Sequence, residues 1–336
     1  MLSMIVLLLS IVLFFSCDKK PTEVTVPSGE GILFISDREG TYDIFVMNPD
    51  GSGQTNLTKS SQWEWNPVWS PEGDMIAFEA SEMKNGPPDI WIMDPDGSNL
   101  RNLTKNPAHD FSPIWSPDGD IIAFTSNRDG NSEIYTVDGS GSWFINVTNH
   151  PGADDHGAWS PDGHSIIFQS KRDGHGEIYR VNREGGDLAN LSHHPADDLY
   201  PTWSPDGSRI LFLSGREGQS DVYTMSPDGS GLINISNNGR FDLEARWSPD
   251  GSKVAFTSLI NGKPELYVMR ADGSQQFQLT YDPASDSQPL WAPDGQSIAF
   301  VSDRDGDHNI YRINIDGTGF VQLTSQSDLD YVWDWR

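Results

Sequence analysis

The string Trp-Ser-Pro-Asp-Gly, or a close variant, recurs at a fixed interval. Its tryptophans are Trp69, Trp115, Trp159, Trp203, Trp247 and Trp291, and Trp335 stands in register without the turn. The spacings are 46 and then five of 44 residues. A second marker, the glycine of a later turn, runs in phase: Gly51, Gly97, Gly141, Gly185, Gly229, Gly273 and Gly317. Two markers sharing one period over most of 336 residues define a repeat architecture, not two separate domains.

Each unit holds four short β-like runs. In residues 111–148 these are Phe111–Trp115, Ile121–Thr125, Glu133–Val137 and Phe144–Thr148. The first two are joined by Ser116-Pro117-Asp118-Gly119, which suits a tight turn. No run is long or periodic enough for a helix. Four short strands every 44 residues predict an all-β chain, a β-propeller of four-stranded blades. Runs such as Ile76-Ala77-Phe78, without polar alternation, fit sheets packed on both faces. The ends settle the count at seven. Gly31–Ser36 matches a second strand and Tyr331–Arg336 matches a first strand. The C-terminal strand is therefore expected to pair with three N-terminal strands and close the ring over residues 31–336. The two extra residues of the 46-residue interval fall in the loop Met83 to Pro88.

Charge narrows the function. There are 49 acidic against 22 basic residues, a net charge of −27. That excludes a phosphate-neutralising nucleic-acid binder and a basic membrane-adhering patch. The single cysteine, Cys17, excludes an intrachain disulfide and a multi-cysteine metal site. Residues 1–16 are almost wholly apolar, too short for a span and matched to a secretory signal. With Cys17 directly after it, the segment resembles a bacterial lipoprotein signal. That resemblance implies acylation of Cys17 and a membrane-anchored chain, stable when more than one acyl chain is attached. Residues 17–30, polar with Pro21 and Pro27, read as the lipidated N-terminus and tether.

The motifs WSPDG, IAFxSxRDG, DIYxMxxDG and LT resemble the TolB-like propeller repeat of bacterial envelope proteins. The resemblance covers about residues 31–336. It implies a propeller and protein–protein contact in the envelope, on the periplasmic or surface side. It does not imply TolB itself, which carries an additional N-terminal α/β domain and is usually six-bladed. Propellers host many activities, so function must be argued from a site.

Loops joining strands 4 to 1 and 2 to 3 share one face, and the monotonous SPDG and PDG turns lie on the other. The first face is variable and carries seven of the eight histidines, His109, His150, His156, His175, His193, His194 and His308. Variable loops on a rigid scaffold are the usual place for binding. Aromatic residues Trp63, Trp65, Tyr200 and Trp333 fall there or at the channel rim. Five residues before each repeat Trp stands a carboxylate: Glu64, Asp110, Asp154, Asp198, Asp242, Asp286 and Asp330. Two arrangements are open for this ring. It could form an electronegative funnel for a cation or cationic ligand. Alternatively, each acid could pair with the basic residue of its own blade, Arg38, Arg128, Arg172, Arg216, Arg304 or the poorer match Lys84, with Ile260 at that place in the Asp242 blade.

No nucleophile elbow, phosphate loop or HExxH occurs, so no catalytic or metal residue is assigned. The expected function is a monomeric, non-catalytic envelope lipoprotein. Its variable face would bind a protein, peptide or glycan partner, without a cofactor. The alternative is a polysaccharide-active enzyme. Seven-bladed relatives with similar repeats include pectate-fragment lyases, and that resemblance implies His and a divalent cation on one face. It requires several of His109, His156, His193 and His194 to converge on one ion.

Overall fold

A computed structural model describes residues 31–325 and 329–336. The signal peptide at 1–16, Cys17 and the tether to residue 30 lie outside the described residues. Twenty-eight strands form seven four-stranded antiparallel sheets. Blade 1 combines Ile32–Ser36, Asp43–Met47 and Thr55–Asn56 with the C-terminal strand Asp330–Trp335. The innermost strands of blades 2 to 7 are Trp63–Trp69, Asp110–Trp115, Asp154–Trp159, Asp198–Trp203, Asp242–Trp247 and Asp286–Trp291. Closure occurs as the repeat phase requires: Ile32 pairs with Trp335 and Ser36 with Asp330. The backbone bonds between Gly31 and Arg336, at 2.7 and 3.1 Å, extend the pairing by one residue.

The core is seven seams rather than one centre. Each apolar cluster joins two adjacent blades, as where Ile121 and Ala123 meet Trp159, Ile166 and Phe168. The phenylalanine of the IAF motif recurs as Phe34, Phe78, Phe124, Phe168, Phe212, Phe256 and Phe300, all buried. Packing on both sheet faces explains the unbroken apolar runs. Six of the seven later-turn glycines sit against the backbone of the neighbouring blade. At Gly229, φ is +82° and an added Cβ would lie 2.5 Å from the Leu191 carbonyl oxygen.

The fourth strand is shorter than the sequence pattern predicts. Phe144–Thr148 was expected, and Phe144–Asn146 is observed. Beyond it, side chains replace the ladder: Asn146 Oδ1 accepts the Thr148 and Asn149 amides, and Thr148 Oγ1 accepts the Ile134 amide at 3.0 Å. The Asn-Leu-Thr ends of other blades repeat this cap, for instance at Asn102 and Thr104.

The innermost strands carry a feature the motifs did not announce. Each has a register shift against its neighbour. In six of them the bulged residue is left-handed: Asn66, Ser112, His156, Tyr200, Glu244 and Gln288, with φ between +52° and +55°. Such a conformation costs a non-glycine residue on the order of 1–2 kcal/mol. It recurs in every innermost strand except the closing one, Asp330–Trp335. Proline follows the bulge at Pro67, Pro113, Pro201 and Pro289, a residue that sheets confine to edges and bulges.

Candidate functional site

The ring of carboxylates does not form an open rim. All seven are buried, with at most 1% exposure, inside their own blades. In five blades the second of the two arrangements is present. Arg38–Asp330, Arg128–Asp110, Arg172–Asp154, Arg216–Asp198 and Arg304–Asp286 are ion pairs of 2.8 to 3.0 Å. The motif SxRDG explains the local geometry. In the Arg216 blade, Nε donates to Ser214 Oγ at 2.8 Å, Nη2 donates to both Asp198 oxygens, and the guanidinium carbon lies 4.9 Å from the Tyr223 ring centre. The Asp of the same motif accepts the hydroxyl of the strand-3 tyrosine, as in Tyr311 to Asp305 at 2.6 Å. Burial nevertheless pushes Asp154 up to about 6, with Arg172 opposing it.

Two carboxylates lack a cation. Asp242 accepts Ser258 Oγ at 2.7 Å and the Asn238 amide at 3.1 Å, and burial raises its pKa. Glu64 accepts Ser60 Oγ at 2.7 Å, its second oxygen is unpaired, and burial pushes it up to about 7. The expected pairing of Lys84 with Glu64 is absent, because Lys84 Nζ instead lies over the Trp63 ring, 4.8 Å from its centre.

The aromatic residues singled out from sequence separate into two groups. Trp63 and Trp65 stack at 6.3 Å beside Tyr42, which meets both Trp63 and Tyr331 edge-on. Trp333 packs against the same seam between blades 1 and 2. Across the ring, His156 and Tyr200 from adjacent blades meet edge-to-face at 4.6 Å, with Tyr200 53% exposed. His156 Nδ1 also contacts Asp155 Oδ1 at 3.0 Å.

Between Tyr200 and Trp333 runs a cavity of about 710 Å³. Its wall comes mainly from the inner strands of blades 5, 6, 7 and 1, reaches the turns at Pro205 and Pro249, and includes Leu243, Glu244, Arg246, Gln288 and Leu290. Sequence reasoning did not single out Arg246, although a signal existed. Its repeat position holds Val68, Ile114, Ala158, Thr202 and Leu290 elsewhere, and a charged residue again only at Asp334. Among the described residues no group of three or more His, Cys, Asp or Glu is arranged to hold a metal ion, so His109, His156, His193 and His194 are not gathered into one. His175 instead contacts Glu177 at 2.7 Å, and His308 contacts the Tyr331 hydroxyl at 2.9 Å.

The profile of the TolB beta propeller domain matches residues 144–252 and 242–334, more than half of the chain. The chain belongs to the TolB beta propeller domain family. The Tricorn protease N-terminal beta propeller domain also matches this TolB-type propeller, over residues 85–176. Comparison with curated proteins finds no match. Among solved structures, TolB from Acinetobacter baumannii is 24% identical, with a TM-score of 0.59. That match covers 74% of this chain and 63% of the other, so the TolB-type chain spans less than two thirds of that protein. An oligogalacturonate lyase in complex with manganese is 19% identical, with a TM-score of 0.65 over 87% of this chain and 85% of its own. The propeller domain of the Trilobed protease from Pyrococcus furiosus is 16% identical, with a TM-score of 0.65 over 88% and 95%. At these identities the structural likenesses establish the fold alone.

Proposed function

We propose that this TolB-type propeller is a non-catalytic binding module that receives a protein or peptide partner at its channel mouth. The observation that carries the reading is the cavity between Tyr200 and Trp333. Its volume lies within the range of about 300–1,000 Å³ typical of binding pockets, and its wall sets apolar and aromatic side chains beside Thr202, Glu244, Arg246 and Gln288. Tyrosine and tryptophan in such places supply most of the energy of protein contacts. Family membership supports a protein partner through the envelope role that the repeat resemblance implies. The sequence before residue 31 supports an envelope location with Cys17 as the lipidated anchor.

The test uses the purified chain with a photo-crosslinking residue at Leu243, exposed to an envelope extract. The reading expects a discrete protein adduct, at least ten-fold weaker in Tyr200→Ser and Trp333→Ser, each measured below its own Tm. An adduct pattern indifferent to both substitutions, or binding confined to a glycan array, overturns it.

A further inference from the structure

In blade 6, Arg246 projects into the central cavity without an ion-pair partner. The ten salt bridges among the described residues include all five rim arginines and omit Arg246. No hydrogen bond from its guanidinium to another described residue is present either, while its backbone pairs with Ala255 and its carbonyl accepts Trp291 Nε1 at 3.1 Å. The nearest acids are committed elsewhere. Glu244 Oε2 accepts the Gln288 amide at 2.7 Å and Thr257 Oγ1 at 2.8 Å. Asp334 accepts the Trp69 amide at 2.8 Å and the Trp335 amide at 2.9 Å. The guanidinium is exposed to the channel and stays charged. The fork is open to the cavity and engaged by no carboxylate among the described residues, so it is free to take an incoming anion.

A second donor stands beside it. The bulge amide of Ser112 is taken by Glu79 of the preceding blade at 2.7 Å, and that of Gln288 by Glu244. At Glu244 itself the preceding blade offers Leu213 where Glu79 stands, since Trp65 pairs with Glu79 as Leu199 pairs with Leu213. A leucine side chain cannot accept. The Glu244 amide and the Arg246 fork thus lie on one wall, flanked by Tyr200, Leu243, Leu290 and Trp333.

Resting on the binding reading above, we infer that Arg246 seats the C-terminal carboxylate of the peptide partner inside the channel. The guanidinium takes it in the fork geometry that suits a carboxylate, and the flanking rings and leucines take the adjoining side chain.

The probe is a mixture of hexapeptides with neutral side chains, ending either in a free carboxylate or in an amide, bound to the full chain and read by native mass spectrometry. The free acids are expected to bind at least ten-fold more tightly than the amides. Arg246→Gln abolishes that preference, and Arg246→Lys retains part of it. The wild-type comparison requires no substitution, so misfolding of a variant leaves the test intact. Equal binding of acids and amides overturns this inference and leaves the binding module standing. Failure of all peptides overturns this inference, and a uronate oligosaccharide binding in their place overturns both.

Discussion

Arg38 and Asp330 stand 292 residues apart in the chain and 3.0 Å apart in the ring. The pair locks the last strand to the first blade at the rim end, as the Gly31–Arg336 bonds do at the other end. Replacing Arg38 with Met leaves a fully buried carboxylate uncompensated, at an expected cost of about 3–5 kcal/mol. Chemical denaturation measures the loss. Hydrogen exchange should rise first in Ile32–Ser36 for Arg38→Met, and in blade 5 for Arg216→Met. Identical exchange maps for the two variants would contradict the closing role.

Glu64 gives the ring a pH signature. Burial raises its pKa from 4.5 to about 7 in the folded state. The folded chain therefore holds the proton more tightly than the unfolded one between those values. This contribution is complete below pH 4.5 and is lost as pH rises through 7. A rise of that size corresponds to on the order of 3 kcal/mol. Glu64→Gln should be more stable than the wild type at pH 8 and no more stable at pH 4.5. Parallel stability curves for the two proteins would show that Glu64 is not the source.

The left-handed bulge at Tyr200 separates stability from binding. Tyr200→Gly removes a conformational strain on the order of 1 kcal/mol while deleting an exposed ring at the cavity edge. The variant should melt at or slightly above the wild-type temperature and lose partner binding. A lower Tm accompanied by intact binding would assign the ring to packing.

Gly229 and Gly317 form an internal control. Both have φ of +82° in equivalent turns, but only at Gly229 does an added Cβ meet the neighbouring blade. Gly229→Ala should cost about 1–3 kcal/mol more than Gly317→Ala in urea denaturation. Equal costs would locate the whole penalty in the turn conformation.

The blade count and the closing strand were legible because both follow from phase, and phase is a property of spacing. The pairing of the ring carboxylates was half legible. Arg38, Arg128, Arg172, Arg216 and Arg304 share one motif offset, and each finds its acid. Lys84 does not, because its loop is longer and Trp63 offers a ring for the ammonium to cover. The bulges were signalled only by prolines inside strands at Pro67, Pro113, Pro201 and Pro289. Arg246 was hidden by attention to what recurs, since its meaning lies in departing from Val68, Ile114 and Leu290.

Gly31 enters the ring beside Arg336, whose guanidinium bonds the Ser70 carbonyl in the Trp-Ser-Pro turn at 2.9 Å. The chain therefore joins the disc on the face of the Trp-Ser-Pro turns, opposite the variable loops, and the cavity wall reaches that turn face at Pro205, Ser248 and Pro249. On the anchored reading, a leash fixed at that underside would hold the disc like a dish on a stalk. The bilayer would lie behind it and the variable loops would face the open compartment, where a soluble visitor could reach them without displacing lipid.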